Sequence, residues 1–178
     1  MEKAKLPRGM IQVYTGDGKG KTTAAFGVAM RAAGHGLKVY VVQFMKEMEY
    51  GEVKAAAAHA RLITIRQCGR AGHVNLGQPD QIDKDLAANA LALAGEIIAG
   101  GEYDLVILDE INLALGCGLL PIADVLAVLR AKPESVELIL TGRQAPAELL
   151  EVADLVTEMR EVKHYFRQGV LSRPGIDV

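Results

Sequence analysis

Residues 11–23 read Ile-Gln-Val-Tyr-Thr-Gly-Asp-Gly-Lys-Gly-Lys-Thr-Thr, an apolar strand that runs into a glycine-rich loop closed by Gly20-Lys21-Thr22. A helical pattern follows at once. Glycines at 16, 18 and 20 let successive backbone N–H groups turn inward without Cβ clashes. A nest of this kind, capped by a helix N-terminus, suits an anionic phosphate chain. Lys21 is placed to reach phosphate oxygens, and the Thr22 hydroxyl to sit on Mg²⁺. The loop also departs from the usual G-x-x-x-x-G-K-[ST] form. The first glycine of that form falls at Thr15 here, and the first loop glycine, Gly16, comes one place later. Asp17 and a second lysine, Lys19, lie inside the loop, and Thr23 follows it. The expectation is a triphosphate cradle of unusual shape.

Around this loop, strands and helices alternate. Strands are expected at Met10–Tyr14, Leu37–Phe44, Leu62–Gln67, Tyr103–Leu108, Val136–Leu140 and Leu155–Met159. Leu37–Phe44 is nearly continuous in apolar and β-branched residues, as a strand buried on both faces should be. Helices are expected at Thr22–Ala33, Glu52–Ala60, from Pro79 to Ala99, Pro121–Ala131 and Pro146–Val152. In the long one, Ile82, Leu86, Ala90, Leu93 and Ile97 form the expected buried stripe, and Pro79 the first helical position. Ile111–Leu119 reads as a glycine-punctuated connection, and Arg160–Val178 as a polar tail folding back over the sheet edge. The alternation implies right-handed crossovers and a parallel sheet covered on both faces. The fold class is therefore α/β: a P-loop NTPase-type (RecA-like) three-layer sandwich with a mostly parallel sheet of about six strands. A length of 178 residues suits one domain, 1–178, with a short polar lead at 1–9.

Ligands on such sheets bind beyond the carboxyl ends of the strands. Those ends carry Gly16–Thr22, Gln43–Lys46, Gln67–Arg70, Asp109-Glu110, Thr141–Arg143 and Glu158–Arg160. Polar and charged residues thus gather along one edge of an aliphatic sheet. Val106–Glu110 has the form of a Walker B strand ending in acid, and one or two carboxylates beside Thr22 satisfy Mg²⁺. The sequence leaves open whether the second acid orients water or holds the metal. Arg143 either binds phosphate in bidentate fashion or snorkels over the sheet edge. Lys19 is expected near phosphate; Lys46 is either there or solvated. Cys68–Gln78, with three glycines, is long enough to be a binding loop. His35 reads as a surface or capping residue, His59 as structural, and His73 as either a substrate contact or none. His164 lies in the tail.

A net charge of −2 without a long basic run argues against nucleic acid as the main partner. No apolar run approaches a membrane span, and the charged first residues are not those of a secretory signal. The two cysteines, Cys68 and Cys117, lack zinc-site spacing and are expected as free thiols in a reducing cytoplasm.

Five stretches together resemble the P-loop ATP:corrinoid adenosyltransferases, also called cob(I)yrinic acid a,c-diamide or cob(I)alamin adenosyltransferases. They are T-G-D-G-K-G-K-T-T-A-A-F-G (Thr15–Gly27), V-V-Q-F-M-K (Val41–Lys46), D-L-V-I-L-D-E-I-N (Asp104–Asn112), L-T-G-R-Q-A-P (Leu140–Pro146) and A-D-L-V-T-E-M-R-E-V-K-H (Ala153–His164). The resemblance covers nearly the whole chain in order. It implies that a nucleophilic Co(I) corrinoid attacks the 5′ carbon of ATP and inorganic triphosphate leaves. It further implies that ATP lies in the loop in the reverse of the usual direction. Carried over, Gly16–Thr22 wrap the triphosphate, Lys21 and Lys19 neutralise it, and Thr22 and Glu110 hold Mg²⁺ with Asp109 nearby. Arg143, Glu158 and Met159 line the nucleotide side, and the corrinoid lies near Cys68–Gln78. Implied partners are a flavin-type reductase that supplies electrons and a second copy in a homodimer. Some family members press aromatic residues, Trp among them, on the corrin face. This chain has no Trp, and Val74, Leu76 and Phe166 are the candidates for such a contact. Two rival readings stand beside this one: a P-loop ATPase or small-molecule kinase, and a non-catalytic ATP-binding regulatory module.

Overall fold

The computed structural model describes residues 6–48, 50–58, 61–72 and 74–177. His59, Ala60, His73 and residues 1–5 lie outside them, so the readings of those two histidines are not addressed. Six parallel strands form one sheet in the order β3-β2-β4-β5-β1-β6. They are β1 (Ile11–Thr15), β2 (Val39–Phe44), β3 (Ile63–Cys68), β4 (Leu105–Asp109), β5 (Glu137–Thr141) and β6 (Leu155–Glu158). Every expected strand is present, within one or two residues at each end.

Side chains of period two divide the core between the two faces of the sheet. Val39, Val41, Leu105, Ile107 and Ile139 pack with Ala25 and Ala29 of α1 (Lys21–Gly34) on one face. Tyr40, Val42, Phe44, Val106, Leu108, Leu138 and Leu140 face the other layer. There they meet Ala87, Ala90, Ala94 and Ile98 of a 20-residue helix (Gln81–Gly100). The alanines on both helices allow close approach to the sheet, which is why so few aromatics suffice. All six residues of β2 are buried, as its unbroken apolar run required.

In chain order the helices are α1, α2 (Gly51–Ala58), α3 (Gln81–Gly100), α4 (Ile111–Gly116), α5 (Ile122–Arg130) and α6 (Ala147–Val152). Three details differ from expectation. The buried stripe of α3 is Asp83, Ala87, Ala90, Leu91, Ala94 and Ile98, one position round from the apolar stripe in the sequence. Ile82 is 52% exposed, because an alanine face packs closer than an Ile/Leu face. The N-cap of α3 is Asp80, whose carbonyl accepts from the Asp83 and Lys84 N–H groups, so Pro79 lies outside the helix. Ile111–Leu119 holds a short helix, α4, whose Ile111, Ala114 and Leu115 are buried at i, i+3, i+4 spacing; two turns interrupted by glycine were too short to register as a period.

Candidate active site

The loop after β1 begins where the strand lets it. Thr15 still pairs with Glu158 of β6, and its carbonyl accepts from the Met159 N–H at 2.8 Å. The usual first loop position is therefore the last strand position here, and the turn starts at Gly16, at φ 93°. Gly18 donates its N–H to the Met159 carbonyl at 2.6 Å. A Cβ at Gly16 or Gly18 would come within 2.5 or 2.7 Å of that same carbonyl. The Glu158–Arg160 segment thus braces the loop from behind. Gly20, in the left-handed region at φ 117°, caps α1 and turns the chain into the helix. The first-turn N–H groups of α1 then face the nest without helical partners.

Lys21 is buried, with its ammonium donating to the carbonyls of Gly16 at 2.6 Å and Gly18 at 2.8 Å. Burial lowers its pKa, the nearby Arg143 charge lowers it further, and Glu110 and Asp17 work the other way. An ammonium held partly desolvated against carbonyls is poised for a stronger anionic partner.

Asp109 ends β4 fully buried and receives four donors. The Thr22 hydroxyl donates to Oδ1 at 2.9 Å and the Thr141 hydroxyl at 2.7 Å. Lys46 donates to Oδ2 at 2.7 Å and Gln43 at 3.2 Å. Lys46 is therefore neither solvated nor a free phosphate ligand; it answers a buried carboxylate. Burial opposes the Lys46 charge, but Asp109 more than offsets this and raises its pKa. The Thr141 hydroxyl also accepts from the Glu110 N–H at 3.1 Å, which fixes Glu110 in the left-handed region at φ 68° as the N-cap of α4. Glu110 turns into the cavity instead of joining the Asp109 network. Burial raises its pKa and Asp109 adds to this, against the Lys46, Lys21 and Arg143 charges.

Arg143 follows Gly142, which sits at φ 133° with room for no Cβ: one would lie 2.8 Å from the Leu113 N. Asn112 Nδ2 ties this turn to β1 by donating to the Tyr14 and Gly142 carbonyls at 3.2 and 3.3 Å. Arg143 is exposed and lines the cavity without an ion pair among the described residues.

The cavity has a volume of about 530 Å³. Its lining joins Asp17–Thr23, Glu110 and Arg143 to Leu76 and a stretch of the tail, in which Phe166 and Val170 are apolar and His164, Tyr165, Ser172 and Asp177 polar. The tail therefore folds over the carboxyl ends of the strands, not over the sheet edge. A 3-10 turn at Tyr165–Gln168, capped by His164 Nδ1 accepting from the Phe166 N–H, shapes that stretch. Of the three apolar candidates, Leu76 and Phe166 line the cavity, while Val74 packs against the core. Arg70 pins the Leu76 loop to α3 through Asp83 at 2.7 Å and Asp80 at 2.8 Å.

The structure brings together Gly16–Thr23, Asp109, Glu110 and Arg143. Glu158 and Met159 support the loop and do not line the cavity. Sequence reasoning passed over Thr141 and Gln43 as individual site residues, although their places at strand ends marked them. It also passed over the tail residues Arg173 and Asp177, for which the sequence carried no signal. Cys68 and Cys117 are free thiols, each with its pKa raised by burial. Among the described residues no helix is long and apolar enough to cross a membrane.

A parallel sheet with a glycine-lysine-threonine nest at the carboxyl end of β1, and an acid-terminated strand, β4, on the far side of β5, defines a P-loop nucleotide-binding protein. The fold is similar to that of the flagellar accessory protein FlaH of Methanocaldococcus jannaschii, at TM-score 0.59 and 15% identity over 86% of this chain and 72% of that one. Sequence is more specific. The model of the family described as ATP:corrinoid adenosyltransferase BtuR/CobO/CobP matches residues 7–178. The corrinoid adenosyltransferase of Escherichia coli K12 is 39% identical over 98% of this chain and 88% of its own length. That of Pseudomonas aeruginosa is 38% identical over 98% and 86%, and that of Salmonella typhimurium 39% identical over 98% and 88%. The chain belongs to the ATP:corrinoid adenosyltransferase family.

Proposed function

We infer that this chain transfers the 5′-deoxyadenosyl group of ATP to the Co(I) centre of a corrinoid, in the making or salvage of adenosylated cobalamin. Co(I) supplies the electron pair for the new cobalt–carbon bond. The bond between C5′ and the phosphate oxygen breaks, and triphosphate leaves with its electrons. The observation that carries this reading is one cavity with two chemistries: a cationic phosphate nest, and beside it the apolar side chains of Leu76, Leu113, Phe166 and Val170. A hydrolase needs only the first. A transferase whose second substrate is a large macrocycle needs both.

In this reading Gly16–Thr23, Lys21 among them, hold the triphosphate, and Arg143, in the same cavity lining, adds its guanidinium. Charge developing on the leaving oxygens is stabilised by donors already in place. Gripping the phosphates also fixes C5′ relative to those apolar side chains, which is catalysis by proximity. Leu76 and Phe166 are the side chains offered to the corrinoid. Mg²⁺ fits the donor set: hydroxyl and carboxylate oxygens, few in number, as an ion that keeps waters and phosphate ligands requires. Thr22, whose proton is given to Asp109, keeps lone pairs for the ion, and Glu110 is the carboxylate free to reach it. Asp109 is saturated by four donors and acts by orienting Thr22. The ion, when bound, supplies further charge neutralisation to the triphosphate. We carry the reversed nucleotide direction, a homodimer, a flavin-type reductase as electron donor and a cytoplasmic setting as parts of the same proposal. The free thiols of Cys68 and Cys117 accord with a reducing compartment.

The test is spectroscopic. Purified protein, ATP, Mg²⁺ and chemically reduced cobalamin under anaerobic conditions are expected to give a light-sensitive alkylcobalt spectrum. A cobalt spectrum unchanged by ATP would overturn the proposal.

A further inference from the structure

Lys19 is the loop lysine that the phosphate nest itself does not hold. Its ammonium donates instead to Asp177 Oδ1 and, at 3.2 Å, to the Ile176 carbonyl. Asp177 is a hub. The Tyr165 hydroxyl donates to the same Oδ1, and Arg173 donates to Oδ2 through both its backbone N and its Nε, each at 3.0 Å. The Arg173 guanidinium in turn lies 4.6 Å from the centre of the Tyr165 ring. The carboxylate is only 9% exposed, whereas Lys19 is 41% exposed. Asp177 also lines both this cavity and a second one of about 400 Å³ beside it, which Lys19, Thr22 and Glu110 share.

Charge and donor counts decide what this arrangement does. Lys19 and Asp177 line the cavity, and Arg173, outside the lining of either cavity, shares the Asp177 charge, so that Lys19 is not the carboxylate's sole counter-charge. An ammonium has three N–H donors. Lys19 uses two on the tail and keeps one. A long, exposed lysine otherwise spreads over many rotamers, and an anion that binds it must first order it. Here the ordering is done in advance.

We propose that Asp177 is a positioning residue: it fixes Lys19 over the phosphate nest as a second, preorganised cation for the triphosphate. This deepens the adenosyltransferase reading and rests on the nest being a triphosphate site. Asp177 itself touches no reacting atom.

The test measures binding of ATP, and of inorganic tripolyphosphate, by calorimetry, so no cobalt chemistry enters. Asp177→Asn is expected to weaken both ligands by about tenfold, the loss typical of one charge-assisted contact. Asp177→Glu is expected to recover most of it. In turnover, KM for ATP should rise with kcat little changed. In a Lys19→Ala background, Asp177→Asn should have no further effect on binding. Tighter binding by Asp177→Asn would overturn the proposal, since the carboxylate would then be a competitor for Lys19. Equal binding by wild type and Asp177→Asn would overturn it too, as would an additive loss in the double variant. If wild type binds neither ligand and Lys21→Ala changes nothing, the failure lies with the triphosphate site, not with Asp177. Thermal unfolding of each variant separates a lost contact from a lost fold.

Discussion

At the residue scale, two lysines that each follow a strand have opposite duties. Lys21 is buried against loop carbonyls, and Lys46 answers Asp109 from the end of β2. Only the first is free to exchange its partners for phosphate. Lys21→Ala should raise the ATP KM and lower kcat, with kcat/KM reduced by about 10²–10³-fold, measured by initial rates of cobalt alkylation. Glu110 gives a pH signature. Its raised pKa means that it takes up a proton at a higher pH than an ordinary glutamate, so its anionic form is lost earlier on acidification. The Mg²⁺ concentration needed for half-maximal rate should therefore rise as pH falls through the range just above the usual glutamate value. Glu110→Gln should weaken the response to Mg²⁺ and remove that pH dependence while leaving the fold intact. A Glu110→Gln enzyme with unaltered Mg²⁺ dependence would remove this residue from the metal site. The motif residues were legible in the sequence because glycine, lysine and acid at fixed spacing are chemistry. Thr141 was not: a threonine at a strand end is unremarkable until its hydroxyl is seen between Asp109 and the Glu110 N–H.

Among the elements, β6 and the segment after it do work that their sequence does not announce. Glu158–Arg160 passes so close behind the loop that Gly16 and Gly18 have no space for a side chain. Gly18→Ala would place a methyl group 2.7 Å from the Met159 carbonyl. The backbone must then shift, at a cost of about 1–3 kcal/mol, read as a fall of several degrees in Tm. ATP binding should weaken in parallel. A stable Gly18→Ala protein with unaltered ATP binding would show that the brace does not set the loop. The glycines were read from sequence as permitting an inward turn. Their second role, as gaps for a passing strand, depends on the pairing of β1 with β6, which lies 143 positions away for Gln12 and would need its register in hand. The shifted face of α3 has the same origin, since the period was legible but the partner surface was not. Alanine against a flat sheet outweighs leucine against nothing.

For the whole molecule, the strand order sets the reaction site. The alternation of strands and helices made a parallel sheet legible, and with it the rule that ligands gather at the carboxyl ends. The order β3-β2-β4-β5-β1-β6 was not legible, because continuous apolar strands fit several neighbours equally well. That order sets β5 between β1 and β4, so that Thr141 reaches the Asp109 carboxylate and Arg143 faces the loop. The fold-back of the tail completes the enclosure, and it follows from specific ion pairs that composition hides. In the proposed reading these features form a grip on three phosphates beside a few apolar side chains, with the chemistry left to the sugar carbon. The most direct measurement is phosphorus NMR of the products formed from ATP, Mg²⁺ and chemically reduced cobalamin. The account predicts inorganic triphosphate in amounts equal to the alkylcobalt formed. ADP and orthophosphate, with no cobalt–carbon bond, would contradict it.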